Sequence, residues 1–132
     1  MGLDMYLRIE DSENPEANHE EIAGWRKHGD LNAWFERLWL KKYRPEVTVR
    51  TVRFGDDYFE ISAFNVQKVY LDLEDLQELF DDLLTGNLPQ SNGLFHTGNL
   101  CNEDRLRGDI EAVSKACVEV ALGKKVYYIC WW

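Results

Sequence analysis

Apolar and polar residues alternate early in the chain. Leu3-Asp4-Met5-Tyr6-Leu7-Arg8-Ile9 has the period of two expected of a half-buried strand. Residues 11–18 are polar, contain Pro15, and read as an exposed loop. Residues 19–27 predict a short helix that turns Ile22, Ala23 and Trp25 inward and ends at Gly29. Beyond it Leu31, Trp34, Phe35 and Leu38 recur at i, i+3, i+4 and i+7, the buried stripe of an amphipathic helix from about Leu31 to Tyr43. Asp30 is placed to cap that helix, its carboxylate accepting from free N–H groups of the first turn. Pro45 stops it, and Lys41, Lys42 and Arg44 suit the negative end of its dipole.

The run Val47–Phe54 is rich in β-branched residues, and Gly55-Asp56-Asp57 turns it back into Tyr58–Phe64. This predicts a hairpin with a three-residue loop. Arg50 and Arg53 fall on opposite faces of a regular strand, so they make no single basic surface. Lys68–Leu71 predicts a short strand leading into a helix capped by Asp72, with Asp75 at the third helical position. Leu73, Leu76, Leu79, Phe80 and Leu83 share one face of that helix, and Gly86 ends it. Residues 87–99 carry two turn signals around a short apolar piece and read as a loop. A third helix, from about Glu103 to Leu122, is expected to bury Leu106, Ile110, Val113, Cys117 and Val120, with Gly123 as C-cap. Lys125–Trp132 predicts a strand, and its terminal Trp-Trp pair is expected to dock rather than fray.

These segments predict an α+β fold in one domain spanning 1–132. A small, mostly antiparallel sheet is built from the N-terminal strand, the 47–64 hairpin and the C-terminal strand, with about three helices packed on it. Hydrophobic content of 45%, with five Trp, six Tyr and six Phe, supports a packed core rather than disorder. A net charge of −9 argues against non-specific binding to nucleic acid or an anionic membrane. No apolar run reaches membrane-spanning length and the N-terminus lacks the features of a signal peptide, so a soluble intracellular protein is expected. Cys101, Cys117 and Cys130 have no C-x-x-C spacing. Buried free thiols are expected, rather than a disulfide framework or a zinc knuckle.

Two groups of residues carry candidate chemistry. Trp25, Arg26, Lys27 and His28 set two cations and an imidazole beside an indole, with Trp34 in the following helix. Such a set can hold a phosphate or carboxylate, with an indole stacking on a base. The 87–99 loop adds Ser91, Asn92 and His96, which would complete a site for a nucleotide or another anionic metabolite. On the opposing reading Trp25 belongs to the core, Arg26 and Lys27 offset the surrounding acid, and the loop only connects. The second group is the acidic face of the middle helix: Asp72, Glu74, Asp75, Glu78, Asp81 and Asp82, with no basic residue among them. It is either a solvated surface or a partner-binding one, presenting carboxylates where a nucleic-acid-binding protein expects phosphates. No catalytic set assembles. Ser62, Ser91 and Ser114 lack a G-x-S-x-G context for His19, His28 or His96. His96 and Cys101 lie five apart with no second pair at ligand spacing. No catalytic residue, metal or cofactor is assigned.

Several blocks of the sequence resemble a family of small proteins encoded by phages and prophages. They are Met1–Leu7, Trp25-Arg26-Lys27 followed by Trp34-Phe35, and Val69-Tyr70-Leu71 with the helix after it. Leu88-Pro89 leading into Gly93-Leu94-Phe95, and Tyr127-Tyr128 with Trp131, continue the match in the same order. The chain departs where the family tends to have Ala-Asn after Trp-Arg-Lys and a His two positions before Trp-Phe; here stand His28-Gly29 and Asn32. The resemblance implies a genomic context rather than a reaction. It suggests a non-enzymatic accessory protein in the cytoplasm of an infected or lysogenic bacterial host, binding and modulating a host protein, possible defence components included. The alternative is the small-ligand binder or enzyme described above, and both readings leave the oligomeric state open.

Overall fold

A computed structural model of the protein describes residues 3–10, 20–89 and 103–132. Strand β1 (Asp4–Glu10) buries every second side chain, Met5, Leu7 and Ile9, as its alternation predicts. The last strand, β6 (Lys125–Trp131), runs antiparallel to it and sets Cys130 opposite Met5, Tyr128 opposite Leu7 and Val126 opposite Ile9. Opposed residues share a face, so these six side chains form one apolar floor. β5 (Val69–Leu71) pairs with the other edge of β6, and β2 (Glu20–Arg26) with the other edge of β1. The resulting sheet has the order β2-β1-β6-β5 and is antiparallel throughout.

Helices α1 (Gly29–Tyr43), α2 (Leu73–Thr85) and α3 (Glu103–Ala121) pack on that floor, giving an α+β fold. α1 contributes Leu31, Trp34, Phe35, Leu38 and Trp39; α2 contributes Leu76, Leu79 and Leu83. α3 contributes Ala112, Val113 and Ala116, while Leu106, Ile110, Cys117 and Val120 pack partly buried around them. Aromatic rings fill the centre. Phe35 stacks on Tyr128 with centroids 3.8 Å apart, and Phe64 lies nearly parallel to Tyr128 at 6.0 Å, next to Trp39. The Tyr128 hydroxyl is wholly buried and donates to Asn32 Oδ1 at 2.6 Å. Position 32 therefore satisfies a core phenol, whose ionisation burial pushes well above its ordinary range. The same burial lifts the Cys130 thiol to about 12. Cys117 and Cys130 are free thiols; Cys101 lies outside the described residues.

α2 forms as its caps predict. Asp72 accepts from the Asp75 N–H and Asp75 accepts from the Asp72 N–H, and Gly86 closes the helix at φ 70°. Elsewhere the structure corrects the sequence reading. Residues 20–26 are a strand, not part of a helix over 19–27. A register shift at Leu7/Arg8 pairs Ala23 with Leu7 and Glu21 with Arg8, leaving Ile22 as an extra residue. That bulge breaks the alternation and brings Ile22, Ala23 and Trp25 inward together, which imitates a helical stripe. α1 begins at Gly29, so Asp30 sits inside its first turn instead of capping it. The cap position belongs to His28, whose carbonyl accepts from the Asn32 N–H and whose side chain makes no capping bond. The hairpin is not part of the main sheet. β3 (Val49–Phe54) and β4 (Asp57–Ser62) form a separate two-stranded ribbon. Its loop is two residues, not three: Gly55 takes the positive φ (64°) such tight loops require, and Asp57 already pairs with Phe54. Among the described residues, no helix is long and apolar enough to cross a membrane.

Candidate functional site

Two buried polar side chains, His28 and Asp109, meet where β2 runs into α1. Lys27 turns the chain there at φ 57°, its N–H bonded to the Leu3 carbonyl at 2.8 Å, and this sends His28 inward. α3 supplies Asp109, 3% exposed. Trp25 Nε1 donates to Asp109 Oδ1 at 2.8 Å, and His28 Nε2 lies 2.8 Å from Oδ2. A carboxylate accepts at both oxygens, so the Nε2 that faces Oδ2 carries a proton, and Nδ1 is left buried. Nδ1 has no hydrogen-bond partner among the described residues. A carboxylate-oriented imidazole of this kind can serve as a base or receive a ligand's donor. The candidate serines are engaged elsewhere: Ser62 Oγ donates to Glu36 at 2.5 Å and Ser114 Oγ to the Ile110 carbonyl. Among the described residues, no group of three or more His, Cys, Asp or Glu side chains could hold a metal ion.

The other members of the proposed anion patch are dispersed. The pleat sends Arg26 to the opposite face from Trp25, 3.9 Å from Asp4, and both Arg26 and Lys27 are exposed. Trp34 points to α2, where its Nε1 donates to Asp82 Oδ2 at 2.8 Å. Ser91, Asn92 and His96, like His19, lie outside the described residues. Asp109 itself was missed. The signal for it was there, since it stands three residues after Leu106 and four before Val113, an acid on the apolar stripe of α3.

Half of the acidic row has structural partners. Asp72 and Asp75 cap α2, and the backbone bond from Asp75 holds the Asp72 carboxyl below its usual range. Asp75 also pairs with Lys42 at 2.6 Å, whose ammonium bonds the Tyr70 carbonyl and so ties α1 to α2. Asp82 receives Trp34. Glu74, Glu78 and Asp81 are exposed. Beside them an open groove of about 430 Å³ runs between α2 and α3, with Phe80 and Cys117 on its walls.

The ribbon has the most unusual surface. None of its described side chains belongs to the hydrophobic core, and Tyr58 is 67% and Phe59 54% exposed, with Val49 and Val52 exposed beside them. Its register places Val49, Thr51, Arg53, Tyr58, Glu60 and Ser62 on one face and Arg50, Val52, Asp57, Phe59 and Ile61 on the other. On the first face the Arg53 guanidinium lies 6.0 Å over the Tyr58 ring and its Nε bonds the Gly55 carbonyl. The root is firmly held. Ala63 N–H bonds the Thr48 carbonyl, Phe64 enters the core, and the Asn65 amide bonds the Trp132 backbone in both directions. The sequence carried a signal for this too: each alternate set of the hairpin contains a large aromatic, so no single face can bury both. No family model, curated protein or solved structure matches the chain.

Proposed function

We propose that the protein is a non-enzymatic accessory protein of phage type that acts by binding a host protein in the bacterial cytoplasm. One observation carries this reading: a firmly rooted two-stranded ribbon holds Tyr58, backed by Arg53, away from the core and open to solvent. Isolated hairpins are marginal in water, and exposed aromatics cost solubility, so a ribbon of this composition is best explained by a protein surface that covers it. Tyr and Arg are also the side chains that most often dominate binding at interfaces. The exposed Glu74, Glu78 and Asp81 add an acidic surface that steers a basic partner. The sequence resemblance supports the phage context.

Quantitative affinity capture from a bacterial host lysate tests the proposal, comparing the wild type with Tyr58→Ser and with the triple reversal Glu74→Lys/Glu78→Lys/Asp81→Lys. A specific partner is expected to fall at least about tenfold with Tyr58→Ser and less with the triple variant. Enrichment of no protein, or a partner that Tyr58→Ser retains in full, would overturn it. The orphan Nδ1 of His28 favours a second reading, in which that nitrogen receives a donor from a nucleotide or another small anionic ligand. A nucleotide that raises the melting temperature of the wild type but not of His28→Asn would support that alternative.

A further inference from the structure

The opposite face of the ribbon has a different character. Val52 and Phe59 stand opposite each other at its middle, 36% and 54% exposed. Ile61, half-buried, and Ala63, buried, continue the same side toward the core. The apolar lining of the core thus runs out along this face and stops uncovered. Opposite charges mark its two ends: Arg50 beside Ile61 at the root, and Asp57 at the tip. Neither forms an ion pair among the described residues.

We propose that this face binds a second copy of the same chain, two ribbons stacking about a two-fold axis through the Val52–Phe59 pair. A two-fold axis lying across the strands sets the root of one ribbon over the tip of the other. Val52 and Phe59 then pack on their symmetry mates, and each Arg50 lies diagonally, one strand over, from the Asp57 of the second copy, within reach of its long side chain. One symmetry operation covers the apolar centre and pairs both free charges. A partner lacking that order of charges gains the apolar contact alone, which is what favours a second copy on this face. Stacked sheets lie roughly 10 Å apart, a gap these side chains fill. The inference rests on the reading of the ribbon as a protein-binding surface, and it leaves the Tyr58 face open for the host partner. A face of this size, roughly 20 Å by 10 Å, is far below the ~800 Å² per partner of a standard interface. The dimer is accordingly weak and concentration-dependent.

Sedimentation equilibrium of the full chain from about 1 μM to about 500 μM tests it. The mass is expected to rise from 15.5 kDa toward twice that value. Phe59→Glu should remain monomeric, and Arg50→Glu and Asp57→Arg should each weaken association at least tenfold (about 1.4 kcal/mol). Mixing the last two variants should restore it, because their reversed charges are complementary only between unlike copies. Unchanged thermal melts at low concentration confirm that the variants fold. A monomer at every concentration, or a dimer indifferent to the charge reversals, overturns the inference. If such a monomer still captures a partner through Tyr58, the dimer alone fails; if Tyr58-dependent capture is also absent, the proposed function fails with it.

Discussion

β6 and the ribbon are made of similar residues and finish in opposite states. In β6 both faces are covered from Val126 to Cys130. Val126, Tyr128 and Cys130 lie in the core, and Tyr127 and Ile129 on the reverse face are buried as well. That reverse face is roofed by polar groups: Arg8 over the Tyr6 ring, Lys68 over the Tyr127 ring, and Tyr70 donating to Glu10 at 2.6 Å. Burial and the Glu10 bond together raise the Tyr70 phenol to about 12. In the ribbon Val49–Arg53 and Asp57–Glu60 are exposed on both faces. The difference lies in neighbours: β6 has a strand on each edge and helices above it, whereas β3 and β4 pair only with each other and meet the body at their root, where Ser62 bonds Glu36 of α1. Alternation determines which side chains share a face; only the surrounding elements determine whether that face is dry.

The strongest way to test the covered half is to cut into its aromatic stack. Phe35→Ala removes the ring lying on Tyr128 and opens a cavity beside Trp34 and Phe64. It is expected to cost about 3–5 kcal/mol and to lower the melting temperature by roughly 10–20 °C, read by urea and thermal unfolding. A loss below about 1 kcal/mol would mean that the stack does not organise the core. A smaller effect is expected at the N-terminus of α2, where Asp72→Ala removes half of the capping box. Its cost is about 1 kcal/mol at neutral pH. Because folding lowers the Asp72 carboxyl below its ordinary value, its contribution is complete above about pH 4 and is lost as pH falls through the folded value. The gap between wild type and variant should therefore narrow as the pH is lowered from neutral through the acid range, which urea midpoints measured across that range follow.

The same contrast explains what could be read in the sequence. The helices were legible because each keeps one apolar stripe and ends on a residue with a local reason to end it, Pro45 or Gly86 or Gly123. β2 was not, because its bulge at Ile22 destroys the period that marks a strand, and the cause of the bulge is pairing with distant β1. The ribbon strands were legible as a hairpin from composition, yet their place was not. Val49–Ser62 reads the same whether it joins the sheet or leaves it. At the buried polar site, Trp25 and His28 were visible as a group, but their shared partner Asp109 is 81 residues beyond His28. Its position on an apolar helix stripe marked it as unusual without naming its partners. The acidic row was read as one surface, while Asp72, Asp75 and Asp82 acquire partners that only the packing of α1 against α2 provides.

The smallest effect belongs to the uncovered half. Phe59→Ser, measured at about 1 μM where the chain is expected to be monomeric, should change unfolding free energy by no more than about 0.5 kcal/mol. Phe59 is 54% exposed and contacts no core cluster, so its removal opens no cavity. The comparison with Phe35 is direct, since both are phenylalanines in regular elements and differ only in what surrounds them. If Phe59→Ser instead cost 2–3 kcal/mol in dilute solution, the ribbon would have to lie against the body, and the contrast between the two halves would collapse. At high concentration the same substitution should lower apparent stability further, because a dimer adds the free energy of association to that of folding. A loss that grows with concentration assigns Phe59 to binding; a loss independent of it assigns Phe59 to the fold.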